Sequence, residues 1–562
     1  MIQQKTKKVP DTFRLYVVLS VILLIMPLWA SEEVYSRADI VRGSITPERA
    51  WWDVAHYHLD IIVDPNARTI AGTNTLQYRV LKSAKIMQID LQKPMQITAV
   101  TQDMAALTYR RDGNVYYVTL KKAQALGALN TLVIEFSGAP HVSQRPPWEG
   151  GLTWDKDKNG TDFIASANQA SGASIWWPCK DHPYDEPEHL LMSVNVPGHL
   201  TDVSNGRLKG IDTLEDGTRT FHWSVVNPIN LYGVNVNIGD YVHFSESYQG
   251  EKGPLSCDYW VLPYNLEKAK VHFQDVPRML EAFEYWFGPY PFYEDGYKLV
   301  EVPYPGMEHQ SSVTYGNGYQ MGFNGKDESG TGWGLKFDFI IIHESGHEWF
   351  ANNISNADVA YMWIHEAFIA YSENLFVEYH YGKKAGTEYV LGRRRQIRNE
   401  RPIEGTVGTN RSGSGDMYSK GANVLHTLRQ WLGNDQIWRS ILRGLNETYY
   451  HQTVTGAQVE IYIAEKTGLK LDAFFNQYLR DVRIPVLEYT IEGEGLRYRW
   501  THTVKGFSMP VEASLNGEAI TLSPTRSWKT LKSEKPVEQF SVDPNYYVAS
   551  FNLTGKKESR AK

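Results

Sequence analysis

The sequence has little cysteine, no excess of positive charge and no apolar run long enough to span a bilayer. Its 562 residues include two cysteines, Cys179 and Cys257. Two are too few for a disulfide framework or a cysteine-rich zinc site. We expect two buried thiols, although an exported protein could join them. The formal net charge of -7 gives no sign of the basic face that nucleic-acid binding needs, so no nucleic-acid binding is expected.

The first thirty residues differ from the rest of the chain. Four basic residues precede an apolar run from Leu15 to Trp29, which ends at Ala30 before two acidic residues. This order is typical of a secretory signal peptide, residues 1–30. The run is shorter than the ~20 residues of a membrane-spanning helix, which favours cleavage over an uncleaved anchor. The sequence therefore predicts an exported protein, periplasmic or secreted, or alternatively one anchored to a membrane through residues 15–30.

The pattern of the remaining chain predicts a multidomain α+β protein. Short alternating runs separated by turn signals indicate an N-terminal β domain, residues 48–248, built as an antiparallel sandwich or saddle-like sheet. A mainly helical region follows (249–484), and a small β domain ends the chain (485–553). Within the helical region the pattern predicts these helices: 265–287, interrupted at Pro277, and 337–352, 365–381, 420–432 and 456–466.

The segment His343-Glu344-Ser345-Gly346-His347 carries the chemistry. Residues four apart lie on one face of a helix, so both imidazoles can bind one metal ion. Glu366 follows in apolar surroundings, where an unpaired carboxylate is unfavourable, and supplies a third ligand. Two histidines and a carboxylate are the ligand set of a hydrolytic zinc site with an open position. Chance gives the first pattern roughly 0.03 times in a chain of this composition, so we predict one Zn²⁺ per chain.

A zinc site of this kind implies hydrolysis. Zinc lowers the pKa of a bound water towards ~7 and polarises the scissile carbonyl. Glu344 is placed to accept the proton of that water without binding the metal. The developing oxyanion then needs a further stabilising group.

The chain resembles the aminopeptidase N family, the gluzincin metallo-aminopeptidases that include the leukotriene hydrolase branch. The zinc pattern has the family's spacing. Three further segments resemble the family's Gly-x-Met-Glu-Asn segment, the segment that holds its transition-state tyrosine, and its Phe-Pro-Cys-x-Asp turn: Pro305 to His309, Met417 to Gly421, and Trp177 to Asp181. Gln169 stands ten residues before Cys179, where the family places an amine-binding residue.

This resemblance implies a saddle-like β domain, a thermolysin-like catalytic domain and a C-terminal β-sandwich. It assigns Tyr418 to the oxyanion and Glu308 with Gln169 to the substrate's amino group. Gly306, Met307 and His309 would line the substrate pocket.

Two features depart from the family pattern. His309 replaces its usual Asn, and the Gly-rich segment 316–334 lengthens the connection between Glu308 and the zinc motif. If His309 shares the amine pocket, its protonation near pH 6.5 should weaken the binding of a cationic amine.

The function implied is that of a zinc aminopeptidase acting on peptides with a free N-terminus. A zinc endopeptidase or another zinc hydrolase on the same scaffold is one alternative, but it would have no use for Glu308 and Gln169 as amine ligands. A catalytically silent binding protein is the other, but it would not need Glu344 and Tyr418.

Overall fold

The computed structural model describes residues 35–169 and 171–554. The predicted signal peptide and membrane anchor lie outside these residues. Within the described part of the chain, no helix combines the length and apolar character that crossing a membrane requires. The chain separates into a short unit, Met1–Arg37, and a large one, Ala38–Lys562. The account below concerns the large unit.

The N-terminal part of the large unit is built from β-sheets, as predicted. Its elements are α1 (Arg37–Gly43), α2 (Pro47–Ala50), β1 (Trp52–Asp64), β2 (Thr69–Val80), β3 (Ile86–Asp90), β4 (Gln96–Gln102), β5 (Ala105–Ala106), β6 (Thr108–Asp112), β7 (Val115–Thr119), β8 (Leu129–Gly138), β9 (Gly151–Lys156), β10 (Asp162–Ala167), β11 (His189–Val196), β12 (Thr201–Ser204), β13 (Arg207–Thr213), β14 (Arg219–Val225) and β15 (Val236–Gly239).

Three sheets form this part, with strand orders β13-β14-β11-β1-β2-β8-β4-β5, β12-β15-β10-β9 and β3-β7-β6. The prediction of purely antiparallel sheets is wrong at one pair, because β1 and β11 run parallel. A long connection separates these two strands in sequence, and a long connection lets the chain return in the same direction.

The middle part is mainly helical around one mixed sheet. Its elements are β16 (Val242–Gly250), β17 (Gly253–Val261), α3 (Leu266–His272), α4 (Asp275–Phe287), β18 (Tyr297–Glu301), β19 (Gly306–Met307), β20 (Val313–Tyr315), α5 (Phe339–Gly346), β21 (Ile354–Asn356), α6 (Trp363–Tyr381), α7 (Lys383–Arg393), α8 (Ser419–Leu432), α9 (Asp435–Thr448), β22 (Gln452–Val454), α10 (Gly456–Thr467) and α11 (Asp472–Leu479). The sheet has the order β16-β17-β18-β20-β19, so β19 lies at its edge.

The helix predictions need two corrections. The first predicted helix breaks at Phe273 rather than at Pro277, which lies in the first turn of α4, where a missing N–H leaves no bond unmade. Helix α5 ends at Gly346 rather than at Asn352. Helices α7, α9 and α11 were not predicted individually.

The C-terminal part contains β23 (Val486–Glu492), β24 (Gly495–Thr501), β25 (Val511–Leu515), β26 (Glu518–Leu522), β27 (Lys529–Lys532), β28 (Phe540–Val542) and β29 (Ala549–Asn552). They form two sheets, β27-β24-β23-β29 and β26-β25-β28. One apolar core joins this part to the helical part, and a second core fills the N-terminal sheets. Cys179 and Cys257 are free and buried, as expected.

Candidate metal centre and active site

Helix α5, which carries the zinc motif, is anchored at its start. The carboxylate of Asp338 accepts the backbone N–H groups of Ile340 and Ile341, at 2.9 and 3.2 Å. The hydroxyl of Tyr315 donates to the same carboxylate at 2.9 Å. An N-cap of this kind satisfies donors that the first turn of a helix would otherwise leave unpaired. The helix is therefore held in a fixed position beneath the edge of the sheet.

Hydrogen bonds orient both imidazoles of the motif. His343 Nδ1 lies 2.8 Å from Glu373 Oε1, and His347 Nδ1 lies 3.1 Å from the carbonyl oxygen of Phe350. Because both acceptors require a proton on Nδ1, each Nε2 is left with a free lone pair. Both Nε2 atoms face Glu366 Oε2, at 3.9 Å from His343 and 3.5 Å from His347.

The donor set fits a divalent cation. Glu366 Oε2 is buried and accepts no hydrogen bond from the described residues. Burial, followed by the charge of Glu308, raises the pKa of Glu366 to about 8. Burial and the neighbouring His343 lower the pKa of His347 well below its usual value, which keeps that imidazole neutral as a metal ligand must be. Two imidazoles and a buried carboxylate match the zinc ligand set.

Glu344 borders the same position. One ligand-type atom from each of His343, Glu344 and His347 lies within 4.8 Å of the others. Burial, and then the charges of Glu308 and Glu366, raise the pKa of Glu344 well above its usual range. A cation in the site would oppose this shift, because it stabilises the ionised carboxylates around it.

Gly306 allows the edge strand β19 to lie directly against α5. A Cβ at this position would stand 2.5 Å from Ile340 Cγ2 and 2.8 Å from the carbonyl oxygen of Thr314. Any side chain would therefore push the strand away from the helix. Gly306 and Met307 both line the cleft above the metal position.

Tyr418 lies next to the first residue of α8, beside the metal ligands. Its ring stacks on that of His343, with centroids 6.0 Å apart and planes at 25°. Close contact between α8 and α6 brings it there, because a Cβ on Gly421 would lie only 2.4 Å from the Cβ of Ala367. Burial and the charge of Glu366 raise the pKa of Tyr418 well above its usual value. The phenol therefore keeps its proton and can donate it in a hydrogen bond.

Gln169 links the N-terminal sheets to the metal site. Its side-chain nitrogen donates to Glu308 Oε1 at 2.5 Å and to Glu366 Oε1 at 3.1 Å. Burial raises the pKa of Glu308 to about 7. Glu308 and Gln169 thus form a polar group directly beside the metal position.

The cleft that contains these groups has a volume of about 260 Å³. Besides the predicted residues, it is lined by Trp148 from the N-terminal part, by Phe323 and Glu328 from the Gly-rich segment, and by Arg393 at the end of α7.

His309 is not among the residues that line the cleft. It is fully buried, and its Nδ1 lies 3.3 Å from Thr314 Oγ1. Burial lowers the pKa of His309 to about 3. The condition for a titration near pH 6.5, that His309 shares the amine pocket, is therefore not met, and an imidazole sealed from water is hard to protonate.

Sequence reasoning missed Glu373, which orients His343. Glu373 also accepts a hydrogen bond from the hydroxyl of Tyr389 at 2.6 Å. Burial alone would raise its pKa, but the charge of Arg393 and the hydrogen bond from His343 lower it overall, so Glu373 is ionised. The available signal was spacing: Glu373 stands two helical turns after Glu366, in an apolar stretch.

The fold and the donor set define a gluzincin type of metallopeptidase site. Residues 271–478 match the model of the Peptidase family M1 domain. This match confirms the resemblance to the aminopeptidase N family over this part of the chain.

Named relatives and solved structures agree with this assignment. Aminopeptidase B of Mus musculus is 25% identical over 376 residues, which cover 61% of this chain and 53% of the relative. Endoplasmic reticulum aminopeptidase 1 of Mus musculus is 21% identical over 421 residues, which cover 70% and 44%. The chain thus spans about half the length of the curated relatives it matches.

The fold class is confirmed by structural likeness. A mutant M1 zinc metallopeptidase from Deinococcus radiodurans, bound to a Tyr-Ser-Ala substrate, superposes with a TM-score of 0.65 at 19% identity. The match covers 79% of this chain and 97% of that one. A second structure of the Deinococcus radiodurans enzyme gives a TM-score of 0.64 at 20% identity, covering 77% and 94%.

Proposed function

We propose that this protein is a zinc aminopeptidase that removes single residues from the N-termini of peptides. One observation carries the proposal: Gln169 donates hydrogen bonds both to Glu308 and to the metal-site carboxylate of Glu366. Gln169 therefore connects Glu308, which can bind a substrate's ammonium group, to Glu366, which can bind a metal ion. A substrate held by both has its first peptide bond at the metal.

The amine end of the cleft is acidic. The α-amine of a peptide has a pKa near 8 and is mostly protonated at neutral pH. Glu308 and the side-chain oxygen of Gln169 offer acceptors for it, and a charge-assisted hydrogen bond is strong where water is excluded. Binding the ammonium also stabilises the ionised form of Glu308, which burial alone disfavours.

The residues around the metal position divide the chemical work. Zinc held by His343, His347 and Glu366 would polarise the scissile carbonyl and activate a water. Glu344 accepts the proton of the attacking water and passes it to the leaving amine. Tyr418 donates its phenolic hydrogen to the developing oxyanion.

The edge strand β19 positions the peptide. Gly306 and Met307 line the cleft on one side of α5, and the outer edge of β19 is available to pair with an extended chain. A peptide lying along this edge with its ammonium on Glu308 is held at two points. Fixing the carbonyl in this way is catalysis by positioning.

N-terminal blocking tests the proposal. We expect free-amine peptides to be cleaved far faster than the same peptides carrying an N-acetyl group, because acetylation removes the charge that Glu308 binds. Products should be single amino acids released in sequence order. Equal cleavage of blocked and free peptides, or internal fragments appearing first, would favour the endopeptidase alternative.

Glu308→Ala should raise KM for peptides with a free N-terminus. It should also reduce the ratio between the cleavage rates of free and blocked peptides, and the zinc content should stay unchanged. Glu328→Ala is the matched control, because Glu328 is a second carboxylate that lines the same cleft. It should leave the ratio between free and blocked peptides unchanged.

Three further assignments belong to the same proposal. Each chain should bind one zinc ion, so a chelator should abolish activity and zinc should restore it. The protein should be exported by means of residues 1–30. Its domains should be 48–248, 249–484 and 485–553, although β16, which starts at Val242, already pairs with β17 in the sheet of the helical part.

A further inference from the structure

Three loops of the N-terminal sheets present large apolar side chains to solvent. Loop 81–86 runs into the first residue of β3, loop 103–106 comprises the turn after β4 and the two residues of β5, and loop 120–129 runs into the first residue of β8. Their apolar residues and exposed fractions are Leu81 (49%), Ile86 (46%), Met104 (100%), Leu126 (73%) and Leu129 (48%). Single exposed apolar residues are common on protein surfaces. These five form one patch only if the three loops are neighbours.

Hydrogen bonds join the three loops into one surface. The backbone N–H of Leu120 donates to the carbonyl of Lys85 at 2.9 Å, and that of Gln124 donates to the carbonyl of Ala84 at 2.9 Å. The side chain of Gln102, at the start of loop 103–106, donates to Gln124 Oε1 at 3.3 Å. We call residues 81–86, 103–106 and 120–129 together the three-loop surface.

The charge of this surface is opposite in sign to that of the whole chain. It carries four exposed lysines, Lys82, Lys85, Lys121 and Lys122, and one acidic residue, Asp103. The chain as a whole has a formal net charge of -7. This surface should therefore bind an anionic partner more tightly than a neutral one, because four lysines in a small area attract negative charge.

We propose that the three-loop surface docks the protein on an anionic lipid membrane. Lysines interleaved with apolar residues suit the boundary of a bilayer, where the ammonium groups meet lipid phosphates and the apolar tips enter the acyl region. A nucleic acid would neutralise the lysines but would offer no apolar phase to Met104 and Leu126. A protein partner would need one groove to receive residues that protrude from three separate loops.

Vesicle co-sedimentation of the full chain tests the proposal. The two vesicle types are neutral phosphatidylcholine and an equimolar mixture of phosphatidylcholine with phosphatidylglycerol. The variant replaces the four lysines of the surface by Gln. Its control replaces four exposed lysines of the C-terminal part, Lys505, Lys529, Lys532 and Lys535, by Gln and so has the same net charge. Every protein compared has the same N-terminus, so a difference between the variant and its control comes from the replaced lysines.

We expect the parent and the control to bind anionic vesicles more tightly than neutral ones, and added salt to weaken that binding. Each surface lysine removed should lower partitioning about fivefold, so the quadruple variant should lose nearly three orders of magnitude, roughly 600-fold. The double variant Met104→Ser, Leu126→Ser should also weaken binding to anionic vesicles. The size of this loss should not depend on the salt concentration, because the replaced side chains carry no charge. All variants should keep the parent's activity on a soluble peptide, which shows that they fold.

Equal binding of the quadruple variant and its control to anionic vesicles would overturn the proposal. So would a parent protein that does not prefer anionic vesicles. Dimerisation through this surface is a third outcome, and light scattering measures it. If the parent is a dimer and Met104→Ser is a monomer, the surface joins two copies of the chain. The membrane proposal is then wrong.

Discussion

Replacing Glu373 by Gln should weaken metal binding although Glu373 is not a ligand. Glu373 Oε1 accepts the Nδ1–H of His343 at 2.8 Å, while Tyr389 donates to its other oxygen at 2.6 Å. Both contacts fix the ring of His343 and keep its Nε2 facing Glu366. An ionised acceptor also makes the imidazole a stronger donor to the metal.

The size of the effect follows from what Gln can and cannot replace. An amide has the same shape, so its oxygen can still accept the hydrogen of His343. Its NH₂ group then faces Tyr389, whose hydroxyl must turn to accept instead of donate. The negative charge is lost, and Arg393 loses a partner. The loss of an outer carboxylate of this kind lowers metal affinity about 10–100-fold, or about 1.4–2.7 kcal/mol.

Competition with a chromophoric zinc chelator measures this change directly. Glu465→Gln is the matched control, because Glu465 is an exposed helical residue and should leave the affinity unchanged. Activity per bound zinc should stay near that of the parent protein, since Glu344 and Tyr418 are untouched. A zinc affinity for Glu373→Gln within about twofold of the parent would refute the reasoning and make Glu373 a packing residue.

The remaining predictions concern the chemistry and the packing around it. Glu344→Gln should keep its metal and lose about 10²–10⁴-fold in kcat, measured together with zinc content, because the base is gone. Tyr418→Phe should lose about 2–4 kcal/mol of transition-state stabilisation, seen in kcat with little change in KM; an unchanged kcat would mean that the phenol only packs. Gly421→Ala should lower the free energy of unfolding by about 1–3 kcal/mol in denaturant titrations, because its Cβ would lie 2.4 Å from that of Ala367.

Local spacing was sufficient to predict which side chains meet at the metal position. His343 and His347 lie one helical turn apart, so any helix at this point brings them together. The end of α5 at Gly346 does not affect this prediction, because the helical turn from His343 to His347 is still formed. Gln169 and Glu308 come from distant parts of the chain, and it was the family resemblance that placed them at one site.

Tertiary packing decided what spacing could not. His309 stands next to Glu308 in sequence, yet the chain directs its ring into the interior instead of the cleft. The parallel pairing of β1 with β11 likewise depends on how a long connection returns, which no local pattern records. Glu373 orients His343 because α5 and α6 pack closely: its spacing from Glu366 places it on the same helix face, but its partner is seen only when the helices are packed.

The charges of the cleft show why metal and substrate should support each other's binding. Four buried carboxylates surround the metal position: Glu308, Glu344, Glu366 and Glu373. The charge of Arg393 lowers the pKa of Glu373, whereas burial raises the pKa of the other three, and repulsion from neighbouring carboxylates adds to the shift at Glu344 and Glu366. A divalent ion beside Glu366 and an ammonium group on Glu308 would supply the missing positive charge. Each cation stabilises the ionised carboxylates on which the other depends, so the protonated peptide N-terminus complements the charge of the site as well as its shape.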